Sequence, residues 1–360
     1  MLRAPPNPDS FCKNHFGLQL SSNSLNSSGA VPEPAKYLFR LGKMNTFRIA
    51  RGAGLACLLL LAPFAVSARV SEFTLPPETP AILDRIYSFD LDGAIEAAQH
   101  MQNEKPDHPL GFLLEAEAIW WRTWCTSAEF KFGMSDARRR PKLGSDRYYM
   151  ELSTKALSLA EARVKQSESA EMQFYAGMAE ASLSRLYALR GENRNAARSG
   201  VRAREHLLRA KTLDPDLADA DFGLGLYNYY VDTLSAVARI LRFFMGIPGG
   251  SKQEGVRQLE HAIAQGVLSP SVARFYLALN LHRYDQQYEK ALTVLGPLVE
   301  KYSANPLFQL ARGDLYAKLG RKQQALACYR AAGELPLQNT ECRAHLQNLV
   351  RVSIAALGVQ

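Results

Sequence analysis

The stretch Gly246-Ile247-Pro248-Gly249-Gly250-Ser251-Lys252 is where this 360-residue chain comes nearest to a catalytic motif. A Gly-rich loop cradles phosphates when Lys directly follows its last Gly, Ser or Thr comes next and a strand precedes it. Here Ser251 stands before Lys252 and a helical stretch precedes the turn, so the expected reading is a glycine C-cap leading to Ser251 as the next N-cap. Asp214, Asp216, Asp219 and Asp221 crowd eight residues and would suit calcium, but Ala218 breaks the alternation and no Gly follows in place. Acids near a helix N-terminus answer the macrodipole without any metal. Gly223-Leu224-Gly225 lacks the third glycine of a dinucleotide fingerprint and is expected to let two helices pack closely. His100, His108, His206, His261, His282 and His345 are scattered, and neither HExxH nor GxSxG occurs. The chain is therefore expected to be non-catalytic, with no cofactor and no metal. A hydrolase on a helical scaffold is the enzyme alternative, and it would need a cleft with paired titratable groups.

The elements that carry these residues are helices. From about Pro80 onward apolar residues recur at three- and four-residue intervals, with no sustained period of two. Breaks carry helix punctuation, as at Gly191-Glu192-Asn193, Asp214-Pro215-Asp216, Ser269-Pro270-Ser271 and Asn305-Pro306. Trp120, Trp121 and Trp124 fall at helical spacing and are expected in the core, a ligand platform being the alternative. The apolar stretch 234–245 is expected to be a helix buried in the array rather than one lying on a membrane.

Gly313, Tyr316, Gly320, Ala325, Tyr329 and Ala332 stand at the spacing of one tetratricopeptide repeat, and Ala325 follows Ala291 by 34 residues. Small residues are needed where two antiparallel helices and the next repeat converge, and rings fill the space between repeats. Degenerate units are legible upstream, around Leu91–Ala97, Asn195–Asp214 and Glu254–Ala264. Over roughly residues 80–345 the ladder resembles the tetratricopeptide superfamily. The block Phe222–Tyr230, the segment Ile240–Gly250 and the pair Glu254-Gly255 resemble uncharacterised bacterial exported proteins of that kind. They are more distantly similar to a eukaryotic family that includes an inclusion-body clearance protein. The resemblance implies an all-α fold, a right-handed α-solenoid of four to six degenerate helix pairs, and a scaffold without catalytic residues.

In such arrays the first helix of each pair lines a concave groove. Aligning Ala291 with Ala325 puts Tyr276, Asn280, Arg283 and Tyr284 on one groove-facing stripe, with Leu310, Asp314 and Lys318 on the next. Tyr229 and Tyr230, with Phe222, extend the surface. Tyr and Arg are frequent interface anchors, and the alternative is that the tyrosines fill inter-repeat space. The expected partner is a protein or peptide.

Met44 opens a segment with Arg48 and Arg51, an apolar run Leu55–Val66 and a small-residue site ending at Ala68, the plan of a secretory signal peptide. Cleavage after Ala68 is expected, giving an exported protein of the periplasm or cell envelope. Left uncleaved, the segment would tether an envelope-organising protein to the membrane. Residues 1–43 read as a disordered extension or a start misplaced ahead of Met44, 44–68 as the signal peptide, 69–345 as the repeat domain and 346–360 as a capping helix and tail. Residues 1–68 hold seven basic and two acidic residues, so +5 of the formal +8 leaves with them. The residual +3 argues against nucleic acid as a partner, and the run Arg138-Arg139-Arg140-Pro141-Lys142 is expected to be a solvated loop. Three of the five cysteines follow Ala68. Cys328 and Cys342, on successive expected helices, could be bridged, and Cys125 is expected to be buried.

Overall fold

A computed structural model describes residues 73–127 and 144–358 apart from 236–237, 240–241 and 243–245. The signal segment, residues 1–43, the basic run and most of the apolar stretch 234–245 lie outside the described residues.

The described chain is all helix and turn. Its helices are α1 (Thr79–Tyr87), α2 (Leu91–Glu104), α3 (Pro109–Ser127), α4 (Ser145–Gln166), α5 (Ala170–Leu189), α6 (Asn193–Leu213), α7 (Ala220–Asp232), α8 (Lys252–Gln265), α9 (Pro270–Arg283), α10 (Tyr288–Lys301), α11 (Pro306–Lys318), α12 (Lys322–Glu334) and α13 (Thr340–Leu357). Local chemistry sets their ends. Side chains of Asp90, Ser169, Ser251, Asn305 and Asn339 accept N-terminal amide protons. Pro306 occupies a first-turn position where its missing N–H costs nothing. Gly191 and Gly320, at φ 76° and 74°, adopt the left-handed conformation just beyond α5 and α11.

Each helix packs on the next, giving an α-solenoid of tetratricopeptide-like pairs. The repeat residues act as their spacing predicts. A Cβ on Gly313 would meet the Tyr329 ring at 2.6 Å, and Ala291, Ala325 and Ala332 are fully enclosed. The two layers differ in burial. Outer helices α8 and α10 each bury four residues along a single stripe. Inner helices α5, α9 and α11 bury residues around most of their circumference.

The inner layer is enclosed because the array closes on itself. Asp84 of α1 accepts hydrogen bonds from the Tyr302 hydroxyl (2.7 Å) and Lys301 Nζ (3.0 Å), and Asn305 Nδ2 donates to the Tyr87 carbonyl at 2.9 Å. Trp121 meets the rings of Phe275 and Phe308, with centroids 5.0 and 5.5 Å away. A disulfide joins Cys125 of α3 to Cys342 of α13 across 217 residues, with Cα atoms 5.3 Å apart. This corrects the expected Cys328–Cys342 bridge. Cys328 is a buried free thiol beside Arg312 Nε (3.3 Å), and closure carries Cys125 to Cys342.

Candidate partner-binding site

The site is built where α7 and α8 cross. A Cβ on Gly225 would lie 2.9 Å from the Gly255 carbonyl oxygen, and one on Gly255 would lie 2.7 Å from the Gly225 oxygen and from Tyr229 N. Only glycine at both positions permits this approach, which is the packing role expected of Gly225. The turn after α7 is held just as closely. Gly250 abuts Asn228, the Tyr227 hydroxyl donates to the Pro248 carbonyl at 2.9 Å, and Arg242 donates to the same oxygen at 2.9 Å. Ser251 Oγ caps α8, while the Lys252 amide donates to Asp232 at 2.9 Å. The Lys252 amide and the Arg242 guanidinium, two donors at the turn, are engaged in holding it.

This crossing fixes Tyr229 and Tyr230 at the end of α7 against Arg283 and Tyr284 at the end of α9. The Tyr229–Tyr230, Tyr229–Tyr284 and Tyr230–Tyr284 ring centroids are 5.9, 5.9 and 6.2 Å apart. Tyr229 is fully buried. Its hydroxyl donates to Asp285 Oδ2 at 2.9 Å and approaches the Asn280 carbonyl at 3.2 Å. Burial, then the Asp285 carboxylate, push its phenol far above the ordinary range. Lys252 neutralises Asp285 and lies over the Tyr229 ring at 5.6 Å. Above this braced base the Arg283 guanidinium covers the Tyr284 ring at 5.0 Å, and Tyr284 is 40% exposed. The result is a cationic and aromatic surface on a rigid footing.

The remaining residues of the expected stripe are elsewhere. Tyr276 is buried against Phe222 (6.0 Å) and Trp124 (6.2 Å), and burial pushes its phenol up to about 12. Asn280 is buried, and Asp314, also buried, accepts the Tyr329 hydroxyl at 2.6 Å. Lys318 is exposed, and its charge adds to the burial that lowers the His282 imidazole to about 4. Tyr276, Asn280 and Asp314 thus face the filled interior. Asp285 braces the site from the turn after α9, and Asp232 and Lys252 from the last and first residues of α7 and α8, where helical spacing carries little signal.

Two of the four clustered aspartates hold structural partners. Asp219 accepts the amides of Val267, Leu268 and Ser269 (2.9, 2.9 and 2.7 Å) and so fixes the α8–α9 turn. Asp221 accepts from Lys211 at 3.2 Å and lies 2.7 Å from His261 Nδ1. A second cationic and aromatic cluster lies largely inside, with the Arg185 and Glu117 side chains 18% and 17% exposed. There Arg185 pairs with Glu117 at 2.6 Å, covers Trp120 at 4.5 Å and donates to the Tyr149 hydroxyl at 2.6 Å.

No protein-family model matches this chain, and no curated protein matches it. Among solved structures it is similar to yeast Tom70 at 10% identity, over 78% of this chain and 88% of that one, with a TM-score of 0.27. An overlap that slight carries no argument about this chain.

Proposed function

We propose that this chain is a non-catalytic helical-repeat scaffold that binds a protein or peptide partner through the Arg283–Tyr284 surface. The observation that carries the reading is the half-open cluster of Tyr230, Tyr284 and Arg283 on a base braced by Tyr229, Asp285 and Lys252. Such a surface offers ring area and a guanidinium at small cost in conformational entropy, the composition of an interface anchor. It suits a partner presenting a carboxylate beside an apolar or aromatic side chain. The interior of the solenoid is occupied by the chain's own side chains, so the reading places the partner on the end of α7 and α9 rather than along a continuous groove.

Export to the periplasm or cell envelope belongs to the same proposal. The signal-peptide pattern at 44–68 supports it, and so does a Cys125–Cys342 disulfide, a bond that persists in oxidising compartments. N-terminal sequencing of the protein from an envelope fraction tests it. A first residue at position 69 is expected, whereas a chain retaining 44–68 would be the tethered form.

Affinity capture from envelope extract with residues 69–360 tests the binding surface. An Arg283→Ala/Tyr284→Ala bait is run beside it, with helicity measured by circular dichroism. A protein enriched by the parent and lost with the folded double variant supports the reading. Equal enrichment by both baits overturns it.

A further inference from the structure

A cavity of about 240 Å³ lies where the two ends of the described array meet. One wall is the turn at residues 88–92 together with Arg122 of α3. The other is the loop at residues 335–339 with Cys342, and Ala304 stands at the rim. Both walls are braced. Asp90 caps α2 through the Gly93 amide and pairs with Arg85 at 2.9 Å, while Phe89 is held at φ 69°, a conformation that costs a bulky residue energy. Opposite, Arg343 Nε donates to the Leu337 carbonyl at 2.8 Å, Asn339 caps α13 through the Cys342 amide at 2.8 Å, and the disulfide fastens Cys342 to α3. The cavity is pre-formed between two fixed turns rather than framed by loose loops.

Its charges are opposed at short range. Arg122 pairs with Asp92, yet the Asp92 side chain is 63% exposed and that of Asp90 is 52% exposed. An ion pair so open to water contributes little and is readily exchanged for a ligand carrying both signs. A ligand of one sign would displace one partner and leave the other without compensation. The facing wall offers an apolar stretch, Leu335-Pro336-Leu337, beside the polar Gln338 and Asn339. The volume falls below the roughly 300–1,000 Å³ of pockets for drug-sized ligands, which restricts the occupant to a very small molecule.

We propose that this cavity binds a free α-amino acid with an apolar side chain. Its carboxylate meets Arg122, its ammonium meets Asp92, and its side chain lies against Pro336 and Leu337. The proposal is independent of the Arg283–Tyr284 surface.

Calorimetric titration of the disulfide-bonded protein with leucine, leucinamide and N-acetylleucine tests it. Leucine is expected to bind, with the two single-charge analogues at least about tenfold weaker. Ala304→Phe, a change at an exposed rim position, should abolish leucine binding with helicity intact. Pro336→Trp, at an exposed position of the other wall, should do the same. Asp92→Asn should weaken leucine more than N-acetylleucine. No leucine binding by the parent protein, equal binding of all three probes, or leucine binding that survives both filling variants would overturn the proposal.

Discussion

Two places in this molecule set an arginine over an aromatic ring, and they serve opposite ends. Inside, Arg185 covers Trp120 at 4.5 Å, donates to Tyr149 and pairs with Glu117, whose other oxygen accepts the Trp121 indole N–H at 2.9 Å. At the surface, Arg283 covers Tyr284 at 5.0 Å with the ring 40% exposed. The difference lies in the surroundings rather than the residue types. Arg185 lies among inner helices that the closing of the array largely covers, and its charge is matched within the protein by Glu117. Arg283 stands at the end of α9, where water reaches it. A cation over a ring becomes a binding surface only when the fold leaves one side open.

Breaking the interior cluster should have the largest effect. Arg185→Ala leaves the Glu117 carboxylate without its cation and is expected to cost about 3–5 kcal/mol of stability, measured by urea denaturation. Glu117→Gln with Arg185→Met should recover much of that loss, because it removes both charges while keeping the volume. If Arg185→Ala unfolds at the parent midpoint, the pair is not the internal counterpart drawn here.

Closure of the array is the next test. Cys342→Ser removes the bridge across 217 residues and should cost about 2–4 kcal/mol by the same measurement. Hydrogen exchange should rise first in α13, which buries only Cys342, Leu346, Ser353 and Leu357. Exchange that stays slow throughout α13 would mean that packing alone closes the seam.

Acid should then separate interior from surface. His282 falls from its ordinary 6.5 to about 4, first through burial and then through the Lys318 charge. The unfolded chain takes up this proton before the folded one does. Its contribution is therefore complete above pH 6.5 and is lost as pH falls toward 4, a change on the order of 3 kcal/mol. His282→Leu should flatten stability between those limits. Glu168, lowered to about 2 first by its hydrogen bond to Arg209, changes stability only below its ordinary 4.5, outside the upper part of that window. A pH dependence between 5 and 6.5 that survives His282→Leu would assign it to another group.

The smallest stability effect is expected at the surface cluster. Arg283→Ala with Tyr284→Ala should change unfolding free energy by less than about 1 kcal/mol while lowering partner capture. A larger loss would make the cluster structural, like its interior counterpart.

Much of the frame was legible in the residues. The 34-residue step from Ala291 to Ala325, the Gly313–Tyr329 contact and the Ser251 cap follow from neighbours near in sequence, where helical geometry is set by local rules. Gly225 was legible as a packing residue, although its partner Gly255 was not. The stripe Tyr276, Asn280, Arg283, Tyr284 shares one helix, and periodicity separates neither its buried half from its open end nor Asp285 from any other loop acid.

The sequence by itself determined the helices, their ends and the small residues at which paired helices cross, because these depend on interactions within a few turns of chain. Tertiary structure alone decided that Cys125 meets Cys342 and leaves Cys328 free. It also decided that Trp121 reaches Phe275 and Phe308, and that Tyr276 is enclosed while Tyr284 is half open. Those outcomes depend on the winding of the whole array. Small rotations between successive pairs accumulate until residues 217 positions apart stand in contact, and no local pattern records that sum.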